Sequence, residues 1–157
     1  MLTFTTGNLL ESSADAVVNT VNCVGVMGKG LALQVKQSYP AVFKRYAADC
    51  KKGLVQLGRV HIVDRQSLEP PFFIINFPTK GHWKARSNFE DIRLGLKSLR
   101  QTLSDFKIKS IALPPLGCGL GGLDWANVKA LIETELAGLD GVNIFVFEPS
   151  SPNGGKS

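Results

Sequence analysis

Short apolar runs alternate with segments of helical periodicity along most of this chain. Runs rich in valine, isoleucine and phenylalanine predict six strands, at 2–5, 16–21, 59–64, 72–77, 110–113 and 142–147. Apolar residues spaced three and four apart predict four helices, at about 31–39, 40–52, 87–103 and 125–136. Because strands alternate with helices, the pattern favours an α/β fold: a three-layer α/β/α sandwich with a mixed, mostly parallel central sheet.

Individual residues mark where the predicted helices begin and end. Pro40 stands at a helix position that tolerates proline, and Gly53 predicts the end of the same helix. Ser87, with Glu90 three residues later, predicts a capping box at the start of the third helix. Asp124 predicts the N-cap of the fourth.

The end of the chain differs in composition from the rest. Residues 150–157 read SSPNGGKS, which has no apolar residue and is typical of a linker. A chain of 157 residues has the length of one domain and buries a real core. We therefore expect one domain over residues 1–148 and a linker-like tail over 149–157.

Two glycine-rich loops directly follow predicted buried strands. One carries Gly25, Gly28 and Gly30, and the other spans 114–122. Backbone N–H groups in such loops suit a phosphate, although neither the dinucleotide-binding nor the P-loop spacing is present. In an open α/β sheet the carboxyl ends of the strands form the ligand crevice, so the two loops predict a clamp around a diphosphate.

A third loop, between the strand at 72–77 and the next helix, is basic and aromatic. Trp83 is suited to stack on a base, and His82, Lys84 and Arg86 are suited to contact phosphates, which predicts a surface for single-stranded DNA. The alternative is a solvated basic loop that Trp83 anchors to the core. His82 is also a candidate acid–base group, since its free pKa of about 6.5 suits proton transfer at neutral pH.

Composition adds weaker constraints. The net charge of +5 is a mild excess, compatible with an anionic ligand or nucleic acid. Cys23, Cys50 and Cys118 are an odd number without a CxxC pair, which indicates reduced, mostly buried thiols of a cytoplasmic protein. The apolar runs are too short for a membrane span, and no secretory signal is recognisable. We expect no metal and no cofactor, because neither histidine has a partner at ligand spacing, and His61 is interpreted as structural.

Taken together, these motifs resemble the macrodomain family, which binds ADP-ribose. The resemblance covers residues 1 to about 148 and rests on Gly7-Asn8-Leu9, VNTVNC at 18–23, GVMGKG at 25–30, NFPTK at 76–80 and PPLGCGL at 114–120. Within the family, NFPTKGHW and GLGGLDW are similar to the DarG antitoxin family. That family is related to the branch that holds the eukaryotic terminal ADP-ribose protein glycohydrolase.

The resemblance implies roles for individual residues. Asn8 and the Leu9 backbone would contact the adenine, and Asn22 the hydroxyls of the distal ribose. Lys80, with Asn22, would be catalytic and attack the anomeric carbon, which requires a partly deprotonated amine; Lys29 and Lys84 are the cations that could favour this. The implied ADP-ribose-binding residues are Asn8, Leu9, Asn19, Asn22, Val24, Gly25, Val26, Met27, Gly28, Lys29, Gly30, Leu31, Thr79, Leu116, Gly117, Cys118, Gly119 and Leu120.

One position departs from the related eukaryotic enzyme. That enzyme pairs its lysine with an aspartate in the loop after GCGL, where this chain has Gly121. Asp124 lies three residues later, at the predicted helix cap. Either Lys80 works with another group, or the chemistry is less covalent than in the relative.

The leading hypothesis is an enzyme that removes ADP-ribose from thymine in single-stranded DNA. It would reverse the action of a DarT-type toxin, as antitoxin and DNA-repair activity, with the toxin contacted through a region absent from this chain. We expect a cytoplasmic monomer that is not bound to membranes. Two alternatives stay open: a module that holds ADP-ribose without turnover, and a hydrolase of ADP-ribosylated acidic protein side chains.

Overall fold

The computed structural model describes residues 1–150 and contains the predicted alternation of strands and helices. The strands are β1 (Leu2–Thr5), β2 (Ala16–Val21), β3 (His61–Asp64), β4 (Phe73–Pro78), β5 (Ser110–Leu113) and β6 (Asn143–Phe147). The helices are α1 (Gly30–Ser38), α2 (Pro40–Lys51), α3 (Phe89–Asp105) and α4 (Trp125–Glu135), with a 3-10 turn at Leu9–Glu11. The predicted boundaries agree within two residues. Most of the predicted tail, from 151 onward, lies outside the described residues.

The six strands form one sheet in the order β1-β6-β5-β2-β4-β3. Every neighbouring pair is parallel except β3 and β4, which are antiparallel. The mixed, mostly parallel sheet is therefore confirmed. The carboxyl ends of β2, β4 and β5 meet at one edge, which we call the carboxyl edge of the sheet. Because β3 runs the other way, its amino end lies at this same edge.

Both faces of the sheet are covered by helices, as the buried runs of the strands require. Val17 packs with residues of α1 and α2, whereas Val18 packs with residues of α3 and α4, and both valines are fully buried. This is the behaviour of a strand in the interior of a three-layer sandwich. In the described part of the chain, no helix has the length and apolar character needed to cross a bilayer.

The capping-box prediction at the start of α3 is wrong by one residue. The side chain of Asn88 is the cap, because its Oδ1 accepts the backbone N–H of Glu90 at 2.8 Å. Ser87 instead donates its backbone N–H to the carbonyl of Gly121, at 3.0 Å. A contact with a loop more than thirty residues away thus replaces the local motif. Asp124 does occupy the N-cap position of α4, but its carboxylate forms no capping bond within residues 1–150.

A chain of buried polar side chains ties α2 to the centre of the sheet. His61 contacts Asp49 at 2.7 Å and Asn76 at 3.1 Å, and Asn76 accepts the amide of Asn19 at 3.1 Å. The bond from His61, followed by that from Arg45, keeps the pKa of the Asp49 carboxyl below its ordinary value. These hydrogen-bonded side chains connect β2 and β4 just before the loops that follow the two strands. This is a structural role for His61, as predicted.

Candidate functional site

The loop after β2 is shaped by the side chain of Asn22. Its Oδ1 accepts the backbone N–H of Val24 at 3.0 Å and of Val26 at 3.4 Å, and its Nδ2 donates to the carbonyl of Val26 at 2.8 Å. The buried hydroxyl of Tyr46, on α2, lies 2.9 Å from the same Oδ1. Within residues 1–150, these bonds use one of the two amide hydrogens of Asn22.

Tyr46 is a site residue that sequence reasoning missed. It lies 24 positions from Asn22 and contacts both its side chain and, at 2.8 Å, its carbonyl. A tyrosine among the apolar residues of a helix is ordinary in a sequence, so no local signal marked it.

The same loop buries some predicted ligand residues and exposes others. Met27 is 1% exposed and anchors the loop, whereas Val24 and Val26 are 48% and 40% exposed. Gly25 adopts φ +85°, and a Cβ there would lie 3.8 Å from the Cβ of Cys50 on α2. Asn19 is fully buried beneath the loop. A ligand in this crevice would therefore meet the loop backbone and the valines, while Asn19 and Met27 support them from below.

The remaining predicted ligand residues of this loop lie at its surface end. Gly28, Lys29 and Gly30 are exposed, and Leu31 is half-buried. Gly30 is the first residue of α1, and Lys29 is its N-cap. The amino end of a nine-residue helix therefore opens at the crevice, which favours a bound anion.

The second glycine loop, after β5, also combines buried side chains with exposed ones. Leu116 and Cys118 are 0% and 1% exposed, whereas Leu120 is 62% exposed at the tip. Gly117 adopts φ +72° and accepts the backbone N–H of Leu123 at 2.9 Å. Burial raises the pKa of the Cys118 thiol to about 12, so the thiol stays neutral and serves as packing. A half-buried Gly119 lies between these anchors.

The basic loop after β4 connects the two glycine loops. The carbonyl of Gly81 accepts the backbone N–H of Cys23 at 3.1 Å, and Ser87 bonds the carbonyl of Gly121 at 3.0 Å. The buried Thr79 extends the pairing of β2 with β4 by one further bond, of 3.0 Å. The three loops that the sequence places after buried strands therefore meet at the carboxyl edge.

Lys80 lies between these loops, half-buried. Its ammonium donates to the carbonyl of Trp83 at 3.0 Å. Burial, and next the positive charge of Lys29, lower the pKa of the Lys80 amine. Lys84, the other cation suggested by the sequence, lies instead over the Trp83 ring, 4.8 Å from its centroid. Burial and the charge of Lys29 both favour the neutral form of the Lys80 amine.

His82 and Trp83 form a stacked pair on the surface of the basic loop. Their ring centroids are 5.0 Å apart at 30°, and His82 Nδ1 accepts the backbone N–H of Lys84 at 3.0 Å. Trp83 is 48% exposed and lies outside both core clusters. It therefore belongs to the surface of this loop, and the suggested anchoring of the loop through Trp83 is not seen.

Arg86 packs against the second glycine loop. A Cβ placed at Gly122 would lie 2.7 Å from a guanidinium nitrogen of Arg86. The guanidinium therefore connects the basic loop to the second glycine loop, a role that the sequence did not indicate.

Gly121 has no room for the aspartate of the related enzyme. A Cβ there would lie 2.3 Å from Ser87 Oγ and 2.5 Å from the carbonyl of Gly117. We expect Gly121→Asp to lower the free energy of unfolding by about 1–3 kcal/mol, the usual cost of overpacking. Urea denaturation measures this effect. Leu120→Asp, at the exposed neighbouring position, is the control, and equal stability of the two variants would contradict the prediction.

Asn8 and Leu9 follow β1, whose carboxyl end lies at the same edge as those of β2, β4 and β5, although β1 is the outermost strand on the side away from β4. Asn8 Oδ1 accepts the backbone N–H of Leu10 at 3.0 Å and so caps the 3-10 turn, while Leu9 is buried. A cavity of about 760 Å³, lined in part by Asn8, Phe145 and Phe147, opens beside them. Since β6 and β5 separate β1 from β2, an adenine bound at Asn8 would lie several strands away from Lys80.

Comparison with known proteins agrees with this geometry. The Macro domain family matches residues 18–132. The chain is 50% identical to the macrodomain of Thermus aquaticus DarG, with a TM-score of 0.92 over 95% of this chain and 99% of that one. The macrodomain of Mycobacterium tuberculosis DarG is 46% identical, with a TM-score of 0.93 and coverage of 96% and 99%.

The full-length relatives are longer. The Thermus aquaticus protein is named DNA ADP-ribosyl glycohydrolase, and the chain matches 41% of its length at 50% identity. Thermosipho africanus DarTG, solved in complex with ADP-ribose, is 36% identical with a TM-score of 0.84, over 92% of this chain and 41% of that one. The chain thus spans less than half the length of these relatives.

Proposed function

This chain belongs to the macrodomain family, and within it to the DarG macrodomains, and from this premise we propose that it removes ADP-ribose from thymine bases of single-stranded DNA. The observation that carries the proposal is Lys80, held half-buried between two glycine loops with the pKa of its amine lowered by burial and by Lys29. The name of the Thermus aquaticus relative, DNA ADP-ribosyl glycohydrolase, supports the same reaction.

The placement of the loops supports the following chemistry. The two glycine loops offer backbone N–H groups to the diphosphate of ADP-ribose, and Asn22 offers an amide hydrogen to the distal ribose. The deprotonated Lys80 amine attacks the anomeric carbon of that ribose, and the bond from this carbon to the thymine nitrogen breaks. The thymine takes a proton, and water then releases ADP-ribose and restores the lysine.

The thymine takes its proton from the ammonium that the Lys80 amine becomes on attack, and His82 is proposed to stabilise the departing thymine by a hydrogen bond. Because its Nδ1 accepts the backbone N–H of Lys84, the neutral ring carries its hydrogen on Nε2, which donates that bond. Trp83 and Lys84 offer an aromatic face and a cation to the DNA on the same loop. Arg86, at the end of the basic loop, packs against the second glycine loop and would support the DNA-binding surface there.

The function is tested by incubating the protein with an oligonucleotide that carries ADP-ribose on one thymine. Release of free ADP-ribose is the expected result. Binding of ADP-ribose without release from the oligonucleotide would favour the second candidate, a module that binds ADP-ribose without hydrolysis. This candidate is supported by Gly121, which leaves no room for the aspartate of the related enzyme. Release from an ADP-ribosylated glutamate peptide but not from DNA would favour a protein hydrolase.

The lowered pKa of Lys80 predicts how turnover depends on pH. Because the attacking form is the neutral amine, kcat should rise with pH until it passes the pKa of Lys80 and then level off. Lys29→Gln removes a positive neighbour, which raises that pKa, so the rising limb should move to higher pH. The pH profile of kcat measures this shift. Lys44→Gln, on the exposed side of α2, is the control, and an unmoved limb in Lys29→Gln would contradict the assignment.

The state of the cysteines and the relatives support a cellular setting for this reaction. The three cysteines are free thiols, which suits a reducing compartment such as the cytoplasm. Removal of a base modification would be a DNA-repair reaction, and it would act as an antitoxin against a DarT-type toxin. The Thermosipho africanus relative, a fusion of a DNA ADP-ribosyl transferase with a glycohydrolase, supports this partner. We propose a monomer that meets the toxin through a region outside this chain.

A further inference from the structure

The segment 51–59 lies beside the proposed active site, although nothing in its sequence relates it to ADP-ribose. It connects the end of α2 to the start of β3. Because β3 is antiparallel to β4, this connection reaches the sheet at the carboxyl edge, next to the basic loop. The segment is therefore the outermost part of this edge, beyond the loop that carries Lys80.

Direct contacts fix the segment in this place. Leu57 reaches the basic loop, since a Cβ at Gly81 would lie 3.9 Å from its Cδ1. The backbone of Leu57 also approaches the Cys23 thiol, in the loop after β2. Val55 and Val60 are buried and hold the segment against the core. The segment and the two loops thus form one continuous surface.

The charged residues of segment 51–59 and of the basic loop are all positive. Residues 51–59 and 79–86 together contain six lysines and arginines and no acidic residue, in a protein whose net charge is +5. Two carboxylates approach from neighbouring helices. Asp49 is 5% exposed and paired with Arg45 and His61, and Asp91 is near enough to Cys23 to raise the pKa of its thiol. The excess of positive charge at this edge is that of a surface for a polyanion.

Exposed apolar side chains accompany these cations. Leu54, Leu57 and Trp83 are 51%, 39% and 48% exposed. Single-stranded nucleic acids bind where cations meet the phosphates and apolar or aromatic side chains meet the bases. A helical face that carried only lysines would not offer the apolar contacts to the bases.

We propose that this surface binds the unmodified nucleotides that flank the ADP-ribosylated thymine. We call it the flank surface, and it consists of Lys51, Lys52, Leu54, Leu57 and Arg59. The inference rests on the proposed function and deepens it, because it assigns the DNA strand a path from Trp83 across segment 51–59. The modified base would remain at the basic loop, and the strand would leave it beyond β4.

The test compares two substrates with one variant. The short substrate is ADP-ribosylated thymidine without flanking phosphates, and the long one is a single strand of roughly 15 nucleotides with ADP-ribose on a central thymine, near the upper site size of a single-strand-binding domain. The variant is Lys52→Gln with Arg59→Gln. The control is Lys107→Gln with Lys109→Gln, which removes the same charge from exposed residues before β5, at the opposite edge of the sheet.

The flank variant should lose about tenfold in kcat/KM for the long strand at low salt and nothing for the short substrate. The slope of log kcat/KM against log salt should become shallower by roughly 1.4, since each lost phosphate contact changes it by about 0.7 for a single strand. The control should match the wild type on both substrates.

Each other outcome has a defined meaning. Equal losses on both substrates, or no loss on the long one, would overturn the flank surface while leaving the enzyme in place. Wild-type protein that cleaves neither substrate would overturn the proposed function itself. Loss of binding to a DarT-type toxin with unchanged cleavage would assign the surface to a protein partner and also overturn the proposal.

Discussion

Lys80→Ala should lower the release of ADP-ribose from thymine-modified DNA on the order of 10²–10⁴-fold, the range expected when a group acting directly on the reacting atoms is removed. The affinity for free ADP-ribose should change little, because the two glycine loops offer their backbone N–H groups without Lys80. A large loss in kcat with a nearly constant dissociation constant separates chemistry from binding. Single-turnover release and calorimetric titration measure the two quantities.

Two further variants sharpen this experiment. Lys80→Arg keeps a cation and a donor for the carbonyl of Trp83, which Lys80 contacts at 3.0 Å, but removes the nucleophile, so it should be as inactive as the alanine variant. Lys44→Ala, which removes an exposed lysine on α2, should retain wild-type turnover. Substantial activity in Lys80→Arg would show that the charge is required instead of the nucleophile. Unchanged turnover in Lys80→Ala would refute the assignment.

Gly95→Ala should destabilise the fold, although glycine to alanine within a helix normally stabilises by about 0.8–1.0 kcal/mol. Gly95 lies in the middle of α3, and a Cβ there would lie 2.4 Å from Cζ and 2.6 Å from Cε1 of the Phe77 ring. Both residues are buried. We expect a loss of about 1–3 kcal/mol in the free energy of unfolding, because the ring must move within a packed core. Urea denaturation followed by circular dichroism measures it.

The cause is tested by a compensating change. Phe77→Leu alone should destabilise, but combined with Gly95→Ala it should cost less than the sum of the two, because the shorter side chain makes room for the added methyl group. Ser104→Ala, at an exposed position of α3, is the matched control and should be neutral or slightly stabilising. Additive losses would contradict the steric explanation. Phe77 lies three residues before Lys80, so Gly95→Ala should also reduce turnover.

Much of the fold and part of the site follow from the sequence alone. The sequence predicts the strands and helices within two residues of their observed bounds, because runs such as 16–18 and 74–75 are apolar at every position and stay buried in the sheet. The strand ends also predict that the glycine loops and Lys80 lie at one edge, since parallel strands bring their carboxyl ends together. These are properties of local periodicity and chain direction, which a sequence carries directly.

Other features were decided only by contacts between distant residues. Ser87 is drawn to Gly121 instead of capping α3, Arg86 packs on Gly122, and Tyr46 shapes the loop of Asn22. The flank surface likewise arises because an antiparallel β3 returns its preceding segment to the active-site edge. Each of these depends on which side chains meet after the sheet and helices pack. Residue type and spacing determine the elements, but the order of the strands and the space between the loops determine what their side chains touch.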